Sequence, residues 1–392
     1  MISIENSRSE TDGRIRLAIV RQKYNPAGGA ERFVSRALDA LSRTRGLDVS
    51  LLARKWEPLT GVRAFCVAPF YLGNVWRDWG FAHAARKVWL REGFQLVQSH
   101  ERIPGCDIYR AGDGVHAHWL ALRNRSLSFF GRVALALNPY HRYVCNAERR
   151  MFQDPRLKLV ICNSRMVKEE IRDYFDVPES RLAVIYNGVD TQAFHPGLAV
   201  AHRAAEREKW AIPHDAPVLL YVGSGFERKG VARALQAIAP FPDVHLVIVG
   251  KDKQLGRYQR LAETLGVGPR VRFCGARQDV KPFYGMADAF ILPTLYDPFP
   301  NVCVEALACG LPVLTSTTCG AAEMLENGVN GWAIDALDTA AWTATVGCWL
   351  DRRAHWTEMS AAARRTAEPM TLTNMADILL DRYRALLNEM PH

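Results

Sequence analysis

The chain has 392 residues, 48% hydrophobic and 10% aromatic, which sets aside a disordered chain and predicts two domains of similar size rather than one core. Its formal net charge of +9 asks for an anionic partner, yet no zinc-finger spacing, RNP motif or helix-turn-helix signature points to nucleic acid. No apolar run of about 18 residues occurs, so no transmembrane helix is expected, and Met1–Asp12 lacks the basic-then-apolar layout of a signal peptide. The nine cysteines are scattered without a C-x-x-C pair, which fits free thiols in a reducing cytoplasm.

Along the chain, short β-branched runs alternate with amphipathic stretches, the pattern of an α/β protein with parallel sheets. Ile15–Val20 reads as a strand running into the loop Tyr24–Glu31, and Phe33, Val34, Ala37, Leu38 and Leu41 then mark a helix. Gly28 and Gly29 at that helix start suit an anion but lack the G-x-G-x-x-G spacing of a dinucleotide site; a plain turn stays open. Further strands are predicted at Val49–Leu52, Gln95–Ser99, Leu157–Cys162 and Leu182–Tyr186. Asp113, set between two glycines in Ala111–His118, is expected near a cleft; His116 and His118 have no third ligand nearby, so no metal site is expected there.

Gly114–Ala147 contains Arg123, Arg125, Arg132 and Arg142 and no acidic residue. Trp119, Leu120, Leu127, Phe129 and Phe130 lie among these arginines, a mixture that suits an anionic membrane surface or a phosphorylated glycolipid. A solvated helix face over apolar packing is the alternative. An arginine-rich helix is predicted over Asn138–Phe152.

Turn residues at Asn187–Asp190 and Pro196-Gly197, followed by the polar Ala201–Trp210, place the domain linker around 190–214. The resulting division is 13–195, 214–365 and a C-terminal helix, 366–392, packing back on the first domain. The second half restarts the pattern, with strands at Val218–Val222, Val244–Val249, Val271–Cys274, Ala289–Leu292, Val313–Ser316 and Trp332–Ile334. Helices fit at Gly230–Ala239, Gln254–Leu265, Val280–Met286, Asn301–Cys309 and Gly320–Leu325, and from Ala340 to the end. Two such doubly wound domains would face a shared cleft with the carboxyl ends of their strands.

Two segments of the second half carry chemistry. The first strand ends in Gly223-Ser-Gly and continues into Phe226-Glu-Arg228-Lys229-Gly, where glycine lets backbone approach a diphosphate and two cations neutralise it. It is not a Walker motif, since no Gly-Lys-Ser/Thr triplet closes it. The second is Asp297-Pro-Phe-Pro-Asn-Val-Cys-Val-Glu305, two carboxylates eight positions apart around a helix start. Backbone amides there can hold a diphosphate while the acids take sugar and ribose; a capped helix with a solvated glutamate is the plainer reading.

Together these segments resemble glycosyltransferase family 4, the retaining GT-B enzymes, over nearly the whole chain. The resemblance is carried by Tyr221–Gly230, Val247–Asp252, Val271–Gly275 and Asp297-x7-Glu305, the last preceded by Leu292-Pro-Thr294 and followed by Ala306–Val313. Within the family the Gly-Ser-x-Phe-x-Arg-Lys-Gly loop and Ile103–Asp107 are similar to the lipopolysaccharide-core glucosyltransferases that act on a heptose.

The resemblance implies a GT-B fold of two Rossmann-like domains and transfer of a hexose, glucose first, from a UDP-sugar to an inner-core heptose, with no metal. It also implies a cytoplasmic enzyme peripheral on the inner membrane. Arg228 and Lys229 should hold the diphosphate, Asp297 the sugar hydroxyls and Glu305 the ribose. The amides of Asn301 and Val302, with Gly28, Gly29 and Gly223, should line the phosphates, and Asp113 should face the acceptor. Asp297 stands where the family has glutamate, and Ser224 where many members have arginine. A GT-B epimerase and a non-catalytic glycolipid-binding protein are the alternatives.

Overall fold

The computed structural model describes residues 15–22, 47–56 and 62–388. Gly28, Gly29 and the helix predicted after them lie outside the described residues.

Among the described residues, the first domain is built on seven parallel strands in the order β3-β2-β1-β4-β5-β6-β7. These are β1 Ile15–Val20, β2 Leu47–Ala53, β3 Arg63–Cys66, β4 Leu96–Ser99, β5 Ile108–Ala111, β6 Leu159–Cys162 and β7 Leu182–Val184. Strands β1, β4, β5 and β6 are buried along most of their length, as parallel strands covered on both faces must be. The described helices are α1 Gly73–Glu92, α2 His116–Arg125, α3 Phe129–Leu137, α4 Pro139–Phe152 and α5 Arg165–Phe175. Asn138 separates α3 from α4: its side chain accepts the Tyr140 amide as an N-cap, and Pro139 takes the first helical position. Strand β3, helix α1 and strand β5 were not expected from the sequence; β3 and β5 are only four residues long, too short for a clear alternation.

The second sheet is six parallel strands in the order β10-β9-β8-β11-β12-β13. They are β8 Val218–Val222, β9 His245–Val249, β10 Val271–Gly275, β11 Ala289–Leu292, β12 Val313–Ser316 and β13 Gly331–Ile334, each within two residues of its expected bounds. The helices are α6 Gly197–Lys209, α7 Phe226–Lys229, α8 Val231–Ala237, α9 Leu255–Thr264, α10 Lys281–Met286, α11 Asn301–Ala308, α12 Thr339–Asp351, α13 Trp356–Ala367 and α14 Leu372–Asn388. Gly320–Leu325, expected as a helix, is a short 3₁₀ turn, Gly320–Met324.

The stretch read as a linker holds helix α6. Its Leu198, with Val189, Phe194, Ile212 and Ala216, belongs to the core of the second domain. The composition misled because the polar residues are not all solvated. Arg207 is fully buried, donating to the carbonyls of Met286, His214 and Ala216 and to the Asp288 carboxylate.

Helix α14 returns to the first domain. Met375, Leu379, Leu380, Tyr383 and Leu386 pack with Leu17, Ile19, Leu51 and Ile108 of the first sheet, and the Tyr383 hydroxyl donates to Gln98 Oε1 at 2.6 Å. Both sheets reverse their strand order once, between β1 and β4 and between β8 and β11. The loops leaving the carboxyl ends of strands at such a point splay apart and leave a crevice. Here the two crevices open on one cleft of about 500 Å³ between the domains.

Candidate active site

From the second domain, the loops after β8 and β11 form one wall of the cleft. After β8 the chain turns through Gly223-Ser-Gly225 into the single-turn helix α7, whose first amide, that of Phe226, donates to Asp252 Oδ2 at 2.7 Å. Gly230 ends the turn at φ +79°, and a Cβ there would lie 1.9 Å from the Pro293 carbonyl oxygen, so only glycine lets the two loops touch. The contact places Arg228 and Lys229 beside Asp297: Lys229 Nζ lies 3.4 Å and Arg228 Nη1 3.5 Å from Asp297 Oδ2. Arg228 also donates to the Tyr296 carbonyl at 2.7 Å. The Asp297 backbone is pinned by its amide to Thr318 O and by the Gly320 amide to its own carbonyl. Ser224 accepts from the Lys251 amide with its hydroxyl.

Helix α11 starts on the cleft with Pro300, Asn301 and Val302 lining it. A helix start presents amide dipoles suited to phosphate, and Pro300, lacking an N–H, contributes none itself. Glu305 sits one turn further along, behind the residues that line the cavity. The buried Tyr284 hydroxyl lies 3.0 Å from its Oε2 and 3.2 Å from the Val302 carbonyl and shares its one proton between them, which fixes the orientation of Glu305. Burial and then the adjacent Glu305 push the Tyr284 phenol well up, so it stays a neutral donor.

The opposite wall comes from the first domain. Arg21 follows β1 and His100 follows β4, so both stand at the crevice of the first sheet, and both line the cavity with Arg102 and Arg110. Arg110 donates to Asn187 Oδ1 at 2.8 Å, and Asn187 donates to Asn301 Oδ1 at 2.7 Å, joining the wall to helix α11. Asp113 is half-exposed at the rim, 3.9 Å from Arg102 Nη1. Arg102 is itself held by Glu148, 2.7 Å away and buried at 1% exposure. Glu148 also accepts the His116 amide at 2.9 Å, so one buried carboxylate fixes both the arginine and the start of α2. Burial, with Arg102 and His141 nearby, holds the His116 imidazole down at about 3; His116 is therefore a neutral partner of His141, 3.0 Å away. Among the described residues no group of three His, Cys, Asp or Glu side chains is placed to hold a metal ion.

Of the residues singled out in the sequence, Asp113, Arg228, Lys229, Asp297, Asn301 and Val302 line the cleft together. Gly223 stands immediately behind Lys229: a Cβ on it would lie 2.7 Å from the lysine Cδ. The basic stretch divides. Arg125 pairs with Asp335 across the domains at 3.1 Å, Arg123 lies 5.3 Å over the Trp119 ring, and Arg132 donates to the Leu127 carbonyl. The sequence reading missed His100, Arg102, Arg110, Glu148, Asn187, Tyr284 and Tyr296. Glu148 alone left a trace, as an acid within an otherwise basic helix.

Comparison with known proteins agrees with this geometry. The family model described as Glycosyltransferase Family 4 matches residues 27–193, and that described as Glycosyl transferases group 1 matches 202–366. The lipopolysaccharide glucosyltransferase WaaG of Escherichia coli (strain K12) is 28% identical over 81% of this chain and 84% of its own. A D-inositol 3-phosphate glycosyltransferase of Mycolicibacterium smegmatis is 29% identical over 59% of this chain and 53% of its own. A crystal structure of WaaG superposes with a TM-score of 0.80 at 24% identity, covering 93% of this chain and 99% of that one. That of Anabaena HepE in complex with UDP-glucose gives 0.71 at 18% identity, covering 95% and 100%. The two parallel-sheet domains, the shared cleft and these matches together show that the chain is a glycosyltransferase with the GT-B fold and belongs to glycosyltransferase family 4.

Proposed function

We propose that the enzyme transfers glucose from UDP-glucose to a heptose of the lipopolysaccharide inner core, with retention at the anomeric carbon and without a metal ion. The observation that carries this is the meeting of Lys229 and Arg228 on Asp297 in one wall of the cleft, with Asp113 and three arginines in the other. The two cations stand where a diphosphate lying along the start of α11 would gather charge as the glycosidic bond breaks, and fixed charges there stabilise that state without reorganisation. Asp297 takes the sugar hydroxyls and Glu305, oriented by Tyr284, the ribose hydroxyls. The acceptor hydroxyl then attacks from the face the diphosphate leaves, and the departing phosphate oxygen takes its proton. The likeness to WaaG supports a core glucosyltransferase, and the fold is that of a protein crystallised with UDP-glucose.

Donor screening decides this reading: UDP-, GDP- and ADP-glucose are offered with a truncated heptose-terminated core, and the product anomer is read by NMR. Preferred use of UDP-glucose, an α product and turnover that survives chelator are expected. Inversion, preference for another nucleotide or loss of activity on chelation would overturn the corresponding part. D-Inositol 3-phosphate belongs in the acceptor panel, since Arg21, Arg102 and Arg110 on the acceptor side also suit a phosphorylated polyol. Release of an epimerised sugar nucleotide from donor alone would replace transfer by epimerisation.

The same proposal places the enzyme on the cytoplasmic face of the inner membrane. Among the described residues no helix is long and apolar enough to cross a membrane. Helix α3 instead presents Phe129, Phe130 and Leu137 at 73%, 83% and 65% exposure, and Phe70, Leu72, Trp76 and Trp79 are exposed on and before α1. Asp78 of α1 accepts the Tyr140 hydroxyl at 2.9 Å, tying α1 to the start of α4. Apolar side chains with arginines close by are suited to the interface of an anionic bilayer. Replacing Phe129 and Phe130 together by serine is expected to weaken binding to anionic vesicles by about tenfold or more. Unchanged sedimentation with vesicles would return the stretch to a solvated helix face. Arg125→Glu is a poorer probe, because it also sets a carboxylate against Asp335.

A further inference from the structure

We propose that Tyr296, held by Glu170, is a positioning residue that joins the two domains and sets the Asp113 loop against the Asp297 loop when the cleft is closed. The inference rests on the glycosyl-transfer reading for its consequence, but its geometry stands apart from it.

Tyr296 belongs to the second domain, one residue before Asp297, and its side chain is buried in the first. Its hydroxyl donates to Glu170 Oε2 of α5 at 2.5 Å and accepts the Val115 amide, at the start of α2, at 3.1 Å. One phenol thus bridges a carboxylate on one helix and the backbone that follows Asp113-Gly114. The fit leaves no slack at Gly114: its φ is +66°, and a Cβ there would lie 1.9 Å from the Tyr296 oxygen. Around the ring, Leu122, Trp119 and Met166 of the first domain pack with Leu295, Ala336 and Leu337 of the second. On the other side, the Tyr296 carbonyl holds Arg228 at 2.7 Å. The residue therefore touches the acceptor-side loop with its side chain and the donor-side cation with its backbone.

Glu170 makes the contact sensitive to protonation. Burial pushes its carboxyl up to about 7, against the opposing pull of the Tyr296 and Val115 donors. The groups facing it are His118 of α2, 3.6 Å from Oε1, Glu148 of α4, Cys162 of β6, Tyr174 on its own helix and Tyr296. His118 is driven toward its neutral form by burial and brings little positive charge to hold the carboxylate ionised. If opening the cleft exposes Glu170, its pKa falls toward the ordinary carboxylate value, so the closed state binds the proton more tightly. Protonation therefore favours closure; its contribution is complete at low pH and is lost as pH rises through about 7.

Tyr296→Phe keeps the ring and removes both hydrogen bonds. With UDP-glucose and a core acceptor it is expected to lower kcat about tenfold while the donor KM stays within about twofold, because two hydrogen bonds across the domain seam are lost and the diphosphate contacts are not. Amide exchange over the peptide containing Val115 should accelerate in the same variant. Glu170→Gln still accepts from the tyrosine but cannot ionise, and should remove the inflection near pH 7 from the kcat/KM profile. Unchanged kcat and exchange in Tyr296→Phe, or an inflection that persists in Glu170→Gln, would overturn the proposal. Should the wild-type chain transfer no sugar at all, the transfer reading fails while exchange at Val115 still decides the contact: faster exchange in Tyr296→Phe upholds it, and equal exchange removes it.

Discussion

Lys229→Ala is expected to lower turnover by about 10²–10³-fold with little change in folding, the effect of removing one preorganised charge from the place where, on the proposed mechanism, negative charge develops. Lys229 is the better buried of the two cations beside Asp297, with its side chain 14% exposed against 42% for Arg228, so water screens it less. Its loss leaves Arg228, tethered by the Tyr296 carbonyl, unable to move over and replace it. Gly223→Ala tests the same lysine from behind. The added methyl would stand 2.7 Å from the lysine Cδ and push the side chain off its position. The glycine variant should lose activity by itself and cost little further in the Lys229→Ala background, since both changes act through one ammonium group. Steady-state rates for the two single variants and the double settle this. Near-normal turnover in Lys229→Ala would mean that the diphosphate lies elsewhere.

Arg207→Leu is expected to destabilise the second domain by about 3–5 kcal/mol, the cost of stripping the partner from a buried charge. Asp288 holds the other half of this network: it receives Arg207 at 2.9 Å, Arg203 at 2.6 Å and the Val218 amide at 2.8 Å. Without Arg207 it would keep only the partly exposed Arg203 and one amide, and the carbonyls of Met286 and Ala216 would lose their donor in a buried setting. Val218 opens the central strand β8 that leads into Gly223, so the damage should spread from the domain boundary to the loop that carries Lys229 into the cleft. Calorimetric unfolding should show the transition of this domain falling by roughly 10 °C. A fall of less than about 2 °C would show that the guanidinium contributes little to the fold.

The second domain was legible because its signals are local. Val218–Val222, Ala289–Leu292 and Val313–Ser316 are short apolar runs between turn residues, and the structure sets them as strands over those same residues. Gly225 and Gly230 punctuate the Arg228-Lys229 loop, and Pro300 marks the start of α11, so the strand–loop–helix frame of the cleft was readable along the chain. The region 190–214 was misread because a polar helix looks like a linker when its partners are far away in sequence. Arg207 meets Asp288 eighty-one positions later, and no periodicity announces that pairing.

The fold class, the Arg228-Lys229 loop and the acid pair Asp297 and Glu305 are readable along the chain, because each is a local pattern of glycine, charge and apolar spacing. The different surroundings of the two acids emerge from the packed domains: Asp297 meets two cations inside the cleft, while Glu305 stands behind it, oriented by Tyr284. Packing likewise pairs Arg125 with Asp335 and carries Tyr296 across to Glu170 and Val115. The reason is the same in each case. These contacts form where two separately folded sheets present their strand ends to each other, and the partners, more than a hundred residues apart for Arg125 and Tyr296, carry no shared period that the chain could display.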